Sequence, residues 1–295
     1  MDEALNRRFR QILEERRAVL LPGASNALAA RVIADLGFEA VYITGAGIAN
    51  TFHGVPDIGL VSLAEVTAHI TAIREAVPDL PIFADGDTGF GNAVNMARTV
   101  QLFERAGANA IQIEDQIFPK KCGHFAGKSV IDAQEMVQKI KAAADTRRDA
   151  NFTIVARTDA RAVLGFEAAL ERAAMYHEAG AEATFIEAPT SLEEVRAIPT
   201  RAPGLPILNI VHCGRTPMPE LDEIRTLGFS GVLYANAALQ ASLKAMQEVL
   251  GHLRRQGSLT GVEDRLADFE ERQRIVDKTR FDAMERLYAL PASAS

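Results

Sequence analysis

The sequence predicts an α/β protein built as a (β/α)8 barrel, and three observations carry that expectation. Eight short apolar runs, rich in β-branched residues, alternate with helical patterns, which is the mark of parallel β/α units. Three helices end almost alike, in DLGFEAVYI, RAGANAIQI and EAGAEATFI, each with a glycine at the helix end and a strand two or three residues later. The alternating part is about 250 residues long, the length of a closed barrel, whereas alternation alone would equally allow an open doubly wound sheet.

Taken in order, the charged segment MDEALNRRFRQILEERR reads as an N-terminal helix, and AVLLPG as the first strand. Asn26 precedes the helical pattern ALAARVIADLG, which Gly37 stops. EAVYITG is strand two, and its TGAG end reads as a bare turn whose N–H groups face an anion. A helix over Leu63–Val77 ends before Pro78, and PIFADGD with NAVNMARTVQLFERAG makes the third unit. NAIQIED is strand four, followed by a long connection and a helix over Asp132–Asp145. FTIVART, EATFIEAP, LPILNIV and SGVLYAN are strands five to eight, each followed by its helix, the last over Ala237–Arg255. Val262–Tyr288 reads as extra helices. The expected organisation is one domain over residues 1–295, with a helix at 1–17, the barrel at 18–256 and a helical extension at 257–295.

Bulk properties narrow the function. The 295 residues are 48% hydrophobic and 24% charged, ordinary for a globular chain. A net charge of −7 argues against nucleic acid as a partner. No apolar run is long enough to span a membrane, and the charged start is not a secretory signal. Two distant cysteines, Cys122 and Cys213, form neither a disulfide framework nor a zinc spacing and fit a reducing cytoplasm.

In such a barrel the chemistry gathers at the C-terminal ends of the strands. Reading those ends gives Thr44, Gly45, Ala46 and Gly47, then Asp85 and Asp87, Glu114 and Asp115, Arg157, Glu187, and Asn209. Carboxylates on adjacent strands repel unless a positive charge sits between them, and all-oxygen donors suit Mg²⁺. Arg157 offers a two-pronged grip on a substrate carboxylate. In the connection after strand four, Lys120, Lys121, Cys122, Gly123 and His124 stand together, and surrounding positive charge lowers a thiol's hold on its proton from about 8.5. Phe118–Ser129 is long for a βα connection and has few apolar anchors, so it reads as a lid with two states, open and mobile without ligand and closed with it, whose lysines are accessible only in the open state. His53 and His212 are placed near the mouth of the site.

Together, TGAG, ADGDTGFGN, IEDQ, KKCGH, ARTDA, Glu187 and Asn209 resemble the isocitrate lyase/phosphoenolpyruvate mutase superfamily, from about Leu20 to Leu250. KKCGH is specific to the lyase branch, which includes 2-methylisocitrate and 2,3-dimethylmalate lyases. The resemblance implies a TIM-type barrel with a C-terminal helix swapped between subunits, a homotetramer, and Mg²⁺ with Mn²⁺ as a substitute. It implies Asp85 as the nearest metal ligand, with Asp57, Asp87 and Glu114 acting largely through water. It implies a small carboxylate substrate held by Thr44 to Gly47, Gly123, Arg157 and Asn209, with Tyr42 at the substrate hydroxyl. Cys122 is the implied acid, assisted by His124 and Glu187. The implied reaction is retro-aldol cleavage of a 2-hydroxy di- or tricarboxylate to a 2-oxo acid and a second carboxylic acid. The alternatives are oxaloacetate hydrolysis or decarboxylation, and a non-catalytic dicarboxylate-binding protein. Two departures fall near the implied pocket: His212-Cys213 after strand seven, and Ala235-Asn236-Ala237 after strand eight.

Overall fold

The computed structural model describes residues 3–121, 123 and 127–290. Eight parallel strands close on themselves: β1 (Val19–Ala24), β2 (Val41–Ile43), β3 (Ile82–Asp85), β4 (Ala110–Glu114), β5 (Thr153–Thr158), β6 (Ala183–Ile186), β7 (Leu205–Asn209) and β8 (Gly231–Tyr234). Closure is direct, with Val19 of β1 in register with Gly231 of β8. The predicted strands are all present and in the predicted order.

The helices are α1 (Glu3–Glu14), α2 (Ala27–Asp35), α3 (Gly45–Ile48), α4 (Leu63–Ala76), α5 (Ala93–Ala106), α6 (Ala133–Thr146), α7 (Ala160–Leu164), α8 (Phe166–Glu178), α9 (Leu192–Arg201), α10 (Leu221–Leu227), α11 (Ala237–Gln256), α12 (Phe269–Ile275) and α13 (Lys278–Tyr288). Local chemistry starts and stops them. Asn26 accepts the Ala29 N–H to begin α2, and a Ser62–Glu65 capping box begins α4. The three glycine ends are real: Gly37, Gly107 and Gly180 have φ of 78°, 98° and 118°, which side-chain-bearing residues rarely adopt.

Strand alternation divides the core in two. Leu21, Tyr42, Phe83, Val155, Phe185, Ile207 and Leu233 point into the barrel, where Phe9, Ile12 and Leu13 of α1 join them. The N-terminal helix is therefore part of the barrel core, not an appendage: Phe9 is fully buried, with its ring 5.7 Å from that of Phe83. The outward row packs on the helices, as Ile82, Ile111 and Ile154 do with Val100, Phe103 and Ile140.

The chain forms two compact units, Met1–Leu239 and Gln240–Ser295, with the division early in α11. In the second unit, Leu243, Met246, Leu250 and Leu253 of α11 are exposed, as are Phe281, Met284 and Leu287 of α13. None of the described helices is long and apolar enough to cross a membrane.

Candidate active site at the barrel rim

All eight strands run the same way, so their C-terminal ends meet at one rim. The inward row continues past the apolar layer into polar residues: Thr44 above Tyr42, Asp85 above Phe83, Gln112 and Glu114 above Ala110, Arg157 above Val155, Glu187 above Phe185 and Asn209 above Ile207. Every one of these lines the cavity except Glu114, which is in register with Arg157 and ion-pairs with it at 3.4 Å. Ala46, Asp57, Lys120, Lys121, Gly123, Ala235 and Asn236 also contribute to its walls.

The TGAG stretch is the start of a short helix and not a bare turn. Thr44 is the N-cap of α3, its Oγ1 accepting the Gly47 N–H at 3.1 Å, and the Gly45 N–H goes to Asp85 Oδ2 at 3.2 Å. Both glycine N–H groups have partners within the protein, and only Thr44 and Ala46 of this stretch face the cavity. Gly45 packs against the acidic rim, where a Cβ would stand 3.0 Å from Asp85 Oδ2.

Asp85 is tightly placed, its Oδ1 accepting from the Asp87 N–H at 3.1 Å and Gln112 Nε2 at 3.3 Å. Tyr42 donates to Gln112 Oε1 at 3.2 Å. Burial, then the neighbouring Asp85 charge, raises the Tyr42 phenol well above its ordinary range, so it holds its proton and serves as a donor better than as a base. Asp57 and Asp87 both pair with Lys120 Nζ, at 2.5 and 2.8 Å. Burial works against the Lys120 charge, but Asp87, Asp57, Glu114 and Asp85 overcome it and hold the ammonium protonated. Burial pushes the Asp87 carboxyl up to about 6 and raises Glu114 well above the usual carboxylate range.

The three lysines of the connection after β4 differ in exposure. Lys120 and Lys128 are buried, because carboxylates at the rim receive them; only Lys121 is exposed, and its Nζ donates to the Gly127 carbonyl. Gln116 further ties the segment, bonding the Lys121 N–H at 2.9 Å and its carbonyl at 2.8 Å. Cys122 and His124 lie outside the described residues. His53 pairs with Glu65 at 2.8 Å, and His212 and Cys213 are exposed and line no part of the cavity.

The donor set fits a hard divalent cation. Among the described residues, Asp57, Asp85, Asp87, Glu114, Asp159 and Glu187 gather around Lys120, Lys128 and Arg157, six carboxylates to three cations in a mostly buried place. Glu114 Oε1 is buried with no hydrogen-bond partner. Among the described residues no three His, Cys, Asp or Glu side chains are grouped closely enough to form a closed metal cage.

Gln112 at this rim was not singled out from sequence, and the roles of Asp115 and Lys120 were not told apart there from those of Glu114 and Lys121. Gln112 was detectable, since it shares the inward row with Glu114. Asp115, adjacent in sequence, takes the outward row: its carboxylate accepts from Thr158 Oγ1 at 2.7 Å, Tyr176 OH at 2.8 Å, Arg172 Nη1 at 3.0 Å and the Asp159 N–H at 2.9 Å. Strand alternation separates its structural role from that of Glu114. Nothing in the sequence marks Lys120 as buried.

Comparison with known proteins agrees with this geometry. Residues 9–254 match the phosphoenolpyruvate phosphomutase family. The chain belongs to that family. It is 43% identical over 282 residues to 2,3-dimethylmalate lyase of Eubacterium barkeri, covering 96% of this chain and 97% of the relative. It is 46% identical over 258 residues to 2-methylisocitrate lyase of Aeropyrum pernix, covering 88% and 82%. Among solved structures of the PEP mutase/isocitrate lyase superfamily, a 2,3-dimethylmalate lyase superposes with a TM-score of 0.90 at 32% identity, covering 99% of this chain and 97% of the other. A phosphonopyruvate hydrolase in complex with oxalate and Mg²⁺ superposes with a TM-score of 0.86 at 32% identity, covering 96% and 99%. The phosphomutase-family barrel is thus the fold on which the rim residues sit.

Proposed function

We propose that this chain, a carbon–carbon lyase of the PEP mutase/isocitrate lyase superfamily, cleaves a 2-hydroxy di- or tricarboxylate of the 2-methylisocitrate or 2,3-dimethylmalate type to a 2-oxo acid, such as pyruvate, and a second carboxylic acid. The observation that carries the reading is the polar ring Thr44, Asp85, Gln112, Arg157, Glu187 and Asn209 around one cavity, in a chain 43% identical to a 2,3-dimethylmalate lyase over nearly its whole length.

Asp85, with Asp57, Asp87 and Glu114 acting through water, would hold Mg²⁺, or Mn²⁺ in its place. When bound, the metal supplies Lewis-acid polarisation of the substrate hydroxyl and its neighbouring carboxylate. Arg157, gripped by Asp159, presents its charge to the second carboxylate, where negative charge grows as the carbon–carbon bond breaks. Tyr42 donates toward the substrate hydroxyl, and a carboxylate acting through water takes that hydroxyl's proton. Cys122 then delivers a proton to the departing carbon, a role in which His124 and Glu187 assist. Asn209, held by Glu187 through its Nδ2 at 3.4 Å, keeps its Oδ1 for the substrate.

Of the two departures, only Ala235-Asn236 reaches the cavity, and Asn236 meets Thr44 at 3.4 Å. That pair, not His212-Cys213, is where substrate substituents would be discriminated. The exposed apolar side chains of α11 and α13 support exchange of these helices within a homotetramer. The widely separated cysteines support a cytoplasmic location.

The test is a screen of 2-methylisocitrate, 2,3-dimethylmalate and oxaloacetate with coupled 2-oxo-acid detection, in Mg²⁺ and in chelator. Release of a 2-oxo acid from a 2-hydroxy acid, lost in Cys122→Ser and kept in Cys213→Ser, is the expected result. Turnover of oxaloacetate alone would replace this reading with the hydrolase or decarboxylase one, and binding without turnover would leave only the dicarboxylate-binding one.

A further inference from the structure

Asp159 follows β5 directly and has no exposed surface. Its carboxylate is committed to two cations. Oδ2 accepts from Arg157 Nε at 2.9 Å and Oδ1 from Arg157 Nη2 at 3.1 Å, a two-pronged grip on the guanidinium. Oδ1 also accepts from Lys128 Nζ at 2.6 Å, and that ammonium donates in turn to the Gly123 carbonyl. The Lys128 side chain is 1% exposed, so its charge has no recourse to water. Arg157 and Gly123 line the cavity, while Asp159 and Lys128 do not. Gly123 lies so close to Arg157 Nη2 and Glu187 Oε1 that a Cβ there would overlap both. Two walls of the cavity, far apart in sequence, are thus set by one carboxylate that does not itself face the ligand. The Asp159 backbone is fixed in its turn, by the Asp115 carboxylate on its N–H at 2.9 Å.

We propose that Asp159 is a positioning residue that seats the Gly123 backbone, through Lys128, against the Arg157 guanidinium it holds directly, so that a ligand carboxylate meets one fixed arrangement of both. Lys128 is the other half of the device and acts only through Asp159 and the Gly123 carbonyl. The carboxylate nature of the ligand rests on the functional reading above; the device itself does not. A displacement of Arg157 or Gly123 by about 1 Å is enough to cost orders of magnitude in turnover, which is why such a support matters.

The experiment uses full-length wild type, Lys128→Met, Lys128→Arg, Asp159→Asn and the Lys128→Met/Asp159→Asn double variant. Each is checked for folding by circular dichroism, and Lys128→Gln replaces Lys128→Met if the latter does not fold. Two readouts follow: calorimetric affinity for oxalate in the presence of Mg²⁺, and the rate of tryptic cleavage after Lys121 without ligand. Lys128→Met, although Lys128 does not line the cavity, is expected to weaken oxalate and to speed cleavage by about tenfold each, the worth of one charge-assisted hydrogen bond. Lys128→Arg restores both to near wild type, and the double variant is no worse than Asp159→Asn alone, because the two residues share one contact. Effects that multiply in the double variant, or a folded Lys128→Met with unchanged oxalate affinity, overturn the proposal. Should wild type bind no oxalate, the functional reading fails, and the ligand-free cleavage rates still decide: a rate in Lys128→Met equal to wild type overturns the device.

Discussion

Asp115 should be one of the most costly positions to truncate, although it touches no part of the cavity. Asp115→Ala removes the acceptor of four hydrogen bonds at once. The Arg172 head is 11% exposed and can turn toward water, but Thr158 and the Asp159 backbone are buried and Tyr176 is fully so. Each buried donor left without a partner costs about 1–3 kcal/mol, and the losses overlap because they share one site, so the expected destabilisation is about 3–5 kcal/mol. For a cooperative unit of this size that is a fall of roughly 10 °C in melting temperature. Burial pushes the Asp115 carboxyl up, against donors that favour its charged form, so the group is held by those donors and not by its surroundings. Asp115→Asn keeps one oxygen of the acceptor and should lose about half as much. Calorimetric melting of the three proteins at pH 7 is the assay. An Asp115→Ala melting temperature within about 2 °C of wild type would show that the four bonds contribute little net free energy and that this account of the β4–β5–α8 junction is wrong.

Three further outcomes are expected. Phe9→Ala, which empties a fully buried site under the barrel, should destabilise by about 3–5 kcal/mol in urea titration; a loss below 1 kcal/mol would mean that α1 is peripheral to the core. Burial alone would raise Asp159, but Arg157 and Lys128 hold it below the usual carboxylate range, so its stabilisation is full above the unfolded value of about 3.9 and lost as pH falls toward the lower folded value. The stability gap between wild type and Asp159→Asn should accordingly stay constant from pH 7 to about pH 4, and a gap that closes by pH 5 would contradict the pairing. Asp85→Ala should abolish Mg²⁺-dependent turnover, and chelator should silence the wild type reversibly; full activity in chelator would remove the metal from the mechanism.

How much of this was legible in the sequence follows from which forces are local. Strand number, strand order and the glycine stops at Gly37, Gly107 and Gly180 were readable, since apolar periodicity and positive-φ caps are properties of short stretches. The rim residues Asp85, Glu114, Arg157, Glu187 and Asn209 were readable too, because parallel β/α topology delivers every strand end to one face. The short helix α3 was not, because two of its four residues are glycines, which disfavour helix by about 1 kcal/mol each; the Thr44 cap and the Asp85 acceptor of the Gly45 N–H override that preference. Nor did the chain show which charges are buried. Lys120 and Lys121 are neighbours of identical chemistry, yet one is locked between Asp57 and Asp87 and the other faces solvent. The same holds for Glu114 and Asp115, one turned into the barrel and one toward α8. A charge's worth depends on what closes around it, and partners 30 to 60 residues away, such as Asp159 for Lys128 and Tyr176 for Asp115, are brought there only by the closed barrel.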